Sequence, residues 1–287
     1  MRVLVLGAGG MLGRDLCARL GSQHEVYGLP RAQADVTDAE AIHALAARLR
    51  PEAVVNCAAA TDVDRCEREP EWAYRVNAHG AWAAAQAAAA ADARLIHVST
   101  DFVFSGQTDR PYCEWDLTGP VNLYGASKLA GEQAVLRTGA RASIVRTQWL
   151  YGPHGKSFPR AILNAARGRP ENGLRVVADQ FGTPTYTPHL AAKLAWLLEW
   201  PLDGIYHISS AGECSRYDWA VRLLAEAGLG EVPVAPIGAV EWPLPARRPR
   251  RTTLRRWALE LAGADDLEPW EAGVQAFVAT LRATGEL

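Results

Sequence analysis

A short apolar segment that runs directly into a cluster of glycines lies at the start of the chain. Residues 3–6 are all aliphatic. Gly7, Gly10 and Gly13 follow at G-x-x-G-x-x-G spacing, and a segment with helical periodicity comes next. A strand, a glycine turn and a helix in this order are typical of dinucleotide-binding folds, because the glycines permit the turn, the approach of a pyrophosphate and close helix–strand packing. The sequence therefore predicts a nucleotide-binding α/β fold.

Strand-like and helical segments alternate along the rest of the chain. Strand-like runs recur at 25–29, 53–56, 94–98, 143–146 and 174–177, and helical stretches at 11–20, 39–49, 71–91, 124–136 and 158–167. Parallel neighbours need crossover connections, so this alternation predicts a doubly wound parallel sheet, an α/β fold of the Rossmann type. We expect a dinucleotide-binding domain over residues 1–150. A smaller substrate-binding lobe is expected over 151–287, with some segments returning to the first domain.

The composition narrows the class of protein. Apolar residues make up 49% and charged residues 22%, which is usual for a soluble globular chain, and a net charge of −2 gives no global attraction to nucleic acid or anionic membrane. The basic run that starts at Arg247 and continues to Arg256 is the exception, and a solvated loop is favoured there over an anion site. The five cysteines show no C-x-x-C pair, which favours free thiols in a reducing cytoplasm.

The second strand departs from the usual dinucleotide pattern. An acidic residue normally ends this strand and holds the ribose hydroxyls, but here the strand runs into Pro30 and Arg31. Arg31 can meet the 2′-phosphate of NADP, or it can be an ordinary exposed arginine, and the sequence leaves these two interpretations even. Asp35 and Val36 follow where an adenine would lie. The small residues 58–60 after the third strand would let the chain pass close to the dinucleotide.

Two polar segments predict a catalytic centre. Tyr124 and Lys128 have Y-x-x-x-K spacing, which puts both side chains on one helix face, where a nearby ammonium lowers the pKa of a phenol. Ser99, Thr100 and Asp101 follow the fourth strand at the carboxyl edge of the sheet, where open α/β folds bind ligands. A hydroxyl of Ser99 or Thr100 can donate to a substrate carbonyl, so the pattern predicts a reductase.

Together these segments resemble the extended short-chain dehydrogenase/reductases and, within them, the dTDP-4-dehydrorhamnose reductase family. The resemblance runs from the first residues to about residue 190, and the phrases around Thr100 and Asp179 are the most specific. The matching stretches are 7–13, 56–64, 76–78, 99–104, 124–132, 146–152 and 177–185, with a weaker match over 248–254 and 270–271.

The resemblance implies reduction, by NADPH or NADH, of the 4-keto group of dTDP-4-dehydro-L-rhamnose to give dTDP-L-rhamnose. It implies that Tyr124 protonates the developing alkoxide, that Lys128 tunes Tyr124 and contacts the nicotinamide ribose, and that Thr100 polarises the carbonyl. Asp101 and Trp149 are expected to line the sugar pocket, although Trp149 can equally be a core residue. The residues expected to bind the cofactor are Gly7, Gly10, Met11, Leu12, Gly13, Arg31, Asp35, Val36, Ala58, Ala59, Ala60, Tyr124 and Lys128.

Two departures from the family pattern bear on ligands. Arg251 stands where the family usually has a small polar residue, and Thr252 stands where it usually has Ser, so recognition of the nucleotide diphosphate can differ. Some members bind magnesium, but the sequence offers no clear acidic pair for it, and we expect no bound metal. The expected partner is a dTDP-sugar, with no nucleic acid and no membrane, in a cytoplasmic monomer or homodimer.

The sequence leaves two other functions open. One is an NAD-dependent sugar-nucleotide epimerase or dehydratase, which recycles a tightly held cofactor. The other is a non-catalytic regulatory subunit like the methionine adenosyltransferase beta subunit. The presence of Thr100, Tyr124 and Lys128 argues against the second, because a binding subunit does not need them.

Overall fold

The computed structural model describes residues 1–168, 170, 172–200 and 202–287. The strands are β1 (Arg2–Leu6), β2 (Glu25–Leu29), β3 (Ala53–Asn56), β4 (Arg94–Thr100), β5 (Ala142–Thr147), β6 (Leu150–Tyr151), β7 (Leu174–Val177), β8 (Phe181–Gly182), β9 (Thr185–Tyr186), β10 (Gly204–His207), β11 (Cys214–Ser215) and β12 (Val234–Ile237). Six of them form one parallel sheet in the order β10-β5-β4-β3-β1-β2. The predicted doubly wound parallel sheet is confirmed.

Helices cover both faces of this sheet. They are α1 (Met11–Leu20), α2 (Ala39–Leu49), α3 (Val63–Arg68), α4 (Pro70–Tyr74), α5 (Gly80–Ala90), α6 (Leu123–Arg137), α7 (Phe158–Arg167), α8 (Thr187–Glu199), α9 (Arg216–Ala227), α10 (Trp257–Leu261) and α11 (Trp270–Ala283). Side chains alternate across β1, so Val3 and Val5 pack with α1 and α8, whereas Leu4 and Leu6 pack with α2 and α5. Burial on both faces explains why the strands read as continuous apolar runs.

The prediction of one continuous helix over 71–91 is wrong. The structure breaks it into α4, a π-helical turn at Arg75–His79, and α5. Asn77 lies in the π turn with its side chain buried and hydrogen-bonded to two other segments, and π turns frequently occur where a side chain must be re-aimed. The π turn therefore interrupts the regular α-helix and places the side-chain amide of Asn77 between the two segments that it contacts.

The run at 174–177 is a strand, but it does not join the main sheet. It pairs with β12 in a separate two-stranded sheet, and β10, which the sequence pattern missed, is the sixth strand. A run of four apolar residues predicts that a strand is buried, but it does not predict which strand it pairs with. Periodicity therefore cannot tell whether β7 belongs to the main sheet or to a separate one. The division of the chain at residue 150 stays a prediction, although α8 and β10 both pack with the elements of the first 150 residues.

A separate aromatic core supports the later part of the chain. It is centred on Tyr151, Trp219 and Phe277, with ring centroids 5.1 Å and 5.5 Å from that of Tyr151. All five cysteines fall in the described ranges and are free thiols. Across those same ranges no helix is long and apolar enough to cross a membrane.

Candidate active site

The glycine turn joins β1 to α1 in the geometry that the sequence predicts. Gly7 has φ +76°, and a Cβ there would lie 2.7 Å from the backbone nitrogen of Ala58. A Cβ at Gly13 would lie 2.7 Å from the Cα of Ala8, so only glycine lets the first turn of α1 approach this closely. Gly10 is the N-cap residue of α1. The free amide groups of this helix end therefore favour an anion at the edge of the sheet.

One cavity of about 420 Å³ lies beside this turn. It is lined by Gly7, Gly9, Gly10, Pro30, Arg31, Ala32, Ala34, Asp35, Val36, Cys57, Ala58, Ala59, Trp72 and Val76. Arg31 is largely exposed, with 71% of its side chain accessible, and its Nε donates to Asp35 Oδ2 at 3.1 Å. Asp35 also accepts from the amide and hydroxyl of Thr37, and these bonds lower the pKa of its carboxyl. The structure thus brings together the residues expected around the adenosine end.

Ala60 is separated from the other two alanines of its segment. Ala58 and Ala59 line the cavity, whereas Ala60 is 2% exposed and lies behind it. Asn77 holds Ala60 by both backbone groups: its Oδ1 accepts from the Ala60 amide at 2.8 Å, and its Nδ2 donates to the Ala60 carbonyl at 3.1 Å. Nδ2 also donates to Ser127 Oγ at 2.9 Å. Asn77 therefore ties the cofactor-side loop to α6, and Ala60 positions that loop without facing the cavity.

A second cavity, also about 420 Å³, continues from the glycine turn along the sheet edge. It is lined by Gly10, Met11, Leu12, Gly13, Cys57, Ala59, Thr61, Val98, Ser99, Thr100, Asp101, Tyr124, Lys128, Thr147, Gln148, Trp149, Leu150 and Lys156. Gly10, Cys57 and Ala59 are shared by the two cavities. The predicted catalytic, substrate and cofactor residues therefore line one continuous cleft, Ala60 excepted.

Helix α6 is anchored at its first turn, just before Tyr124. The side chain of Asn122 accepts from the amide of Gly125 at 2.8 Å, and a Cβ at Gly125 would lie 2.9 Å from the carbonyl carbon of Phe102. Capping and the close approach fix the start of the helix against the segment that follows β4. Tyr124 and Thr100 are brought to the same cavity wall as a result.

The electrostatics of Tyr124 and Lys128 differ from the expectation. Lys128 is buried and its Nζ donates to the carbonyl of Val98 at 2.6 Å, and burial lowers its pKa to about 8. Burial and the Asp101 carboxylate raise the pKa of Tyr124, and a hydrogen bond with Thr100 only partly offsets them. The expectation that Lys128 lowers the pKa of Tyr124 is wrong for the protein's own groups, because burial raises that pKa and Lys128 is not among the groups that lower it. Tyr124 is thus held as the protonated phenol, which is the form a proton donor needs.

Ser99 is committed to a buried ion pair beneath the cavity. Its hydroxyl donates to Glu132 Oε1 at 2.5 Å, and Arg146 Nη2 donates to Glu132 Oε2 at 2.7 Å. Arg146 and Glu132 are 3% and 2% exposed in their side chains. The hydroxyl proton of Ser99 is therefore engaged by Glu132 and is not available to a substrate carbonyl.

Asp101 is buried between two threonine hydroxyls. Thr100 Oγ1 donates to Asp101 Oδ1 at 2.9 Å, and Thr252 Oγ1 donates to Asp101 Oδ2. Burial raises the pKa of Asp101 from its ordinary 3.8 to about 6, against these bonds and the nearby charge of Arg216. Thr252, singled out in sequence for a change from Ser, therefore shapes the cavity by orienting Asp101.

This pKa gives a pH dependence of stability. Between about pH 4 and pH 6 the folded chain keeps a proton on Asp101 that the unfolded chain has lost, so the free energy of unfolding falls as pH rises through that window. In urea titrations at about pH 4.5 and about pH 6.5, we expect Asp101→Asn to reduce this fall by about 2 kcal/mol. Glu114 and Asp15 stay in both proteins, so the difference isolates Asp101. An equal fall in both proteins would contradict the assignment.

Trp149 is held on the cavity wall in an unusual backbone conformation. It has φ +45°, and a Cβ at Gly182 would lie 2.7 Å from its ring. The guanidinium of Arg216 lies 3.6 Å from the centroid of the same ring. Positive φ at a bulky residue costs of order 1–3 kcal/mol and persists only where the surroundings impose it. Trp149 therefore belongs both to the cavity and to the aromatic core behind it.

The basic run is largely neutralised within the molecule. Arg248 pairs with Asp64 at 2.7 Å, Arg251 with Glu213 at 2.7 Å, and Arg256 with Asp265 at 2.5 Å. These side chains are ion-paired, so they form neither the solvated loop that the sequence favoured nor an open site for an anion. Arg251 stands where the family usually has a small polar residue. Because it pairs with Glu213, its positive charge is largely compensated within the molecule.

Several residues of the cleft are not found from residue type and spacing. Trp72 and Val76 close the first cavity from α4 and the π turn, and Gln148 and Lys156 line the second. Exposed lysines and half-buried tryptophans are common, so composition and spacing do not distinguish them. Val76, Asn77 and Gln148 fall in stretches that match the family, but residue type and spacing alone give them no role.

The residues of the cleft fit a dinucleotide. A Cβ at Gly7 or Gly13 would fill the cradle at the start of α1, and the cleft continues from there to Tyr124 and Lys128. For a metal the described residues offer no group of three or more His, Cys, Asp or Glu side chains that could hold an ion.

Comparison with known proteins agrees with this architecture. Residues 1–283 match the family described as RmlD substrate binding domain. The chain is 42% identical to the dTDP-4-dehydrorhamnose reductase of Mycolicibacterium smegmatis, over 98% of this chain and 86% of that protein. It is 40% identical to the dTDP-4-keto-6-deoxy-D-glucose reductase of Streptomyces niveus, over 96% of both.

Solved structures show the same relationship. The dTDP-4-dehydrorhamnose reductase of Bacillus anthracis in complex with NADP superimposes with a TM-score of 0.94 at 35% identity, covering 97% of this chain and 99% of that one. A match of this quality over nearly the whole of both chains includes the glycine turn, the sheet and the later lobe. The chain belongs to the dTDP-4-dehydrorhamnose reductase family.

Proposed function

We propose that this chain reduces the 4-keto group of dTDP-4-dehydro-L-rhamnose to dTDP-L-rhamnose, with NADPH or NADH as the reductant. The observation that carries the proposal is the single cleft that joins the glycine turn to Thr100, Tyr124 and Lys128. Relatives named for this reaction that align over nearly the whole chain support the choice of substrate.

The catalytic part of the proposal rests on the protonation states of the cleft. When bound, the reduced nicotinamide supplies the hydride for the ketone carbon. Tyr124, whose pKa is raised, holds the proton that the developing alkoxide needs. Thr100 supplies a hydroxyl beside it, and positioned donors at a developing oxyanion are usually the largest catalytic contribution. Lys128 is held by the Val98 carbonyl on the same wall, where it can bind the nicotinamide ribose.

The substrate part of the proposal assigns Asp101 and Trp149 to the sugar. Asp101 has both oxygens fixed by threonine hydroxyls, and Trp149 is wedged between Gly182 and Arg216, so neither has to reorganise on binding. Preorganised groups stabilise a transition state without an ordering cost at the moment of reaction. The diphosphate and thymidine of a dTDP-sugar would extend out of the cleft beyond them.

For the cofactor, NADPH is proposed as the preferred reductant. The B. anthracis relative is in complex with NADP, and Arg31 lies on the cavity wall where the second strand lacks its usual acid. Its guanidinium is exposed and bonded only to Asp35 among the described residues, so it can turn to a 2′-phosphate.

Arg31→Ala tests this preference. Charge-assisted hydrogen bonds to a buried or half-buried anion contribute about 1.5–3 kcal/mol, so NADPH binding should weaken about tenfold or more. NADH lacks the 2′-phosphate, and its binding should change less than about twofold. Titration of intrinsic tryptophan fluorescence with both dinucleotides measures this. Equal weakening of the two would remove Arg31 from the 2′-phosphate site.

The direct test of the function incubates the chain with dTDP-4-dehydro-L-rhamnose and either NADPH or NADH. We expect loss of reduced-nicotinamide absorbance in a one-to-one ratio with dTDP-L-rhamnose. An epimerase or dehydratase would convert a sugar nucleotide without net consumption, and a regulatory subunit would bind the dinucleotide without turnover. dTDP-4-keto-6-deoxy-D-glucose belongs in the same assay, because the S. niveus relative is named for it.

The proposal also includes the setting of the enzyme. The five free thiols are those of a protein kept in a reducing compartment, which supports the cytoplasm. The proposed partner is the dTDP-sugar itself, with no nucleic acid and no membrane, and the chain acts as a monomer or homodimer.

A further inference from the structure

The segment between β6 and α7, residues 152–157, brings a lysine to the cleft. This 152–157 loop follows the strand that leaves the substrate side of the cavity, and it contains His154, Gly155 and Lys156. Of these, only Lys156 lines the second cavity, together with Gly10, Met11, Leu12 and Gly13. Residue type and spacing alone assign this lysine no role.

The loop is fastened along the first turns of α1. A Cβ at Gly152 would lie 3.3 Å from Met11 Cγ and 3.3 Å from Asp15 Oδ2. His154 Nε2 lies 3.5 Å from Asp15 Oδ1, and Arg160 donates to the carbonyl of Pro153 at 2.5 Å. The contacts of Gly152 and His154 therefore keep the first part of the loop against the helix whose amino end carries the glycine turn.

Within this loop, Lys156 lines the cavity while its side chain stays exposed to solvent. Gly155 has φ +75°, which turns the chain directly before Lys156. Among the residues that the structure describes, Lys156 makes no ion pair and donates no hydrogen bond. The amino end of a helix carries partial positive charge, so a lysine that lines the same cavity adds to the attraction for an anion placed between them.

We propose that Lys156 binds the pyrophosphate of the dinucleotide, opposite the amide groups at the start of α1. This inference rests on the proposed function, and it adds a cofactor ligand that lies far along the chain from the glycine turn. The loop lies on α1, which supports the cofactor phosphates over the substrate diphosphate as its anion. The 152–157 loop thus supplies a cation to the second cavity, whereas Arg31 lines the first.

The test compares Lys156→Ala, Lys156→Arg and a control, Arg48→Ala, by fluorescence titration. Arg48 is an exposed cation in the last turn of α2, so its loss changes the net charge equally without touching the cleft. Lys156→Ala should weaken NADPH and NADH by the same factor, about tenfold. Binding of adenosine 2′-monophosphate, which has no pyrophosphate, should be unchanged. Lys156→Arg should restore most of the affinity, and Arg48→Ala should match the unmodified chain.

Three results would overturn the inference. One is an unchanged Kd for both dinucleotides in Lys156→Ala with thermal stability retained. A second is a raised KM for the sugar nucleotide with an unchanged dinucleotide Kd, which would assign Lys156 to the substrate diphosphate. The third is failure of the unmodified chain to bind either dinucleotide, which would overturn the proposed function as well, so the two failures are distinguishable.

Discussion

Tyr124→Phe is expected to lower kcat for ketosugar reduction by about 10²- to 10⁴-fold. The substitution removes one oxygen from a half-buried ring, and the protein's own groups keep the proton of that oxygen in place by raising the pKa of Tyr124. Ser99 cannot take over, because its hydroxyl donates to Glu132, and Thr100 is proposed to hydrogen-bond the carbonyl oxygen rather than to supply its proton. The rate of NADPH consumption at saturating substrate measures the effect.

The binding of the dinucleotide provides the control for this variant. Since the phenol contributes little to ground-state binding, the Kd for NADPH should change less than about threefold. Tyr206→Phe is a matched substitution on β10, where the hydroxyl donates to the carbonyl of Asp203, and it should leave kcat unchanged. A Tyr124→Phe enzyme with the turnover of the unmodified chain would refute the role of Tyr124 as the proton donor.

Arg146→Leu is expected to lower the free energy of unfolding by about 3–5 kcal/mol. Arg146 on β5 meets Glu132 on α6 with both side chains almost fully buried, and Nε and Nη2 donate to both carboxylate oxygens. Removal of the arginine leaves a buried carboxylate with Ser99 as its remaining side-chain donor. Urea denaturation measures the loss, because the midpoint falls while the slope is unchanged when only stability is affected.

Two comparisons separate this effect from a general loss of packing. Combining Arg146→Leu with Glu132→Leu removes both charges, and part of the stability should return, since a buried apolar pair of similar volume is often no worse than an ion pair. Arg94→Ala breaks a half-exposed pair with Asp203 and should cost within about 1 kcal/mol. If the double variant were less stable than Arg146→Leu alone, the unpaired charge would not be the cause.

Local rules predict the first half of the fold well. The strands β1 to β5 and the glycine turn follow from apolar runs, φ requirements at Gly7, and the crossover that parallel strands need. The pairing of β7 with β12 and the entry of β10 into the sheet do not follow, since they depend on contacts between segments far apart in sequence. The π turn at Asn77 overrides a strong local helical preference for the sake of three hydrogen bonds.

In the candidate site, too, some features follow from the local sequence and others depend on contacts between distant segments. Residue types and spacing find Thr100, Tyr124 and Lys128, because their chemistry is tied to short motifs on one strand and one helix. They do not reveal that Lys128 is buried against Val98, nor that desolvation reverses the expected shift in the pKa of Tyr124. Residue type and spacing also do not identify Lys156, because it reaches the cleft only through the path of the 152–157 loop along α1.

The central claim is that this cleft transfers hydride to C4 of a dTDP-ketosugar, and isotope transfer tests it most directly. The chain is incubated with dTDP-4-dehydro-L-rhamnose and NADPH that carries deuterium at nicotinamide C4 on the transferred face, and the product is analysed by NMR and mass spectrometry. We expect one deuterium at C4 of dTDP-L-rhamnose for each NADP⁺ formed. Sugar product without deuterium, or no oxidation of NADPH, would contradict it.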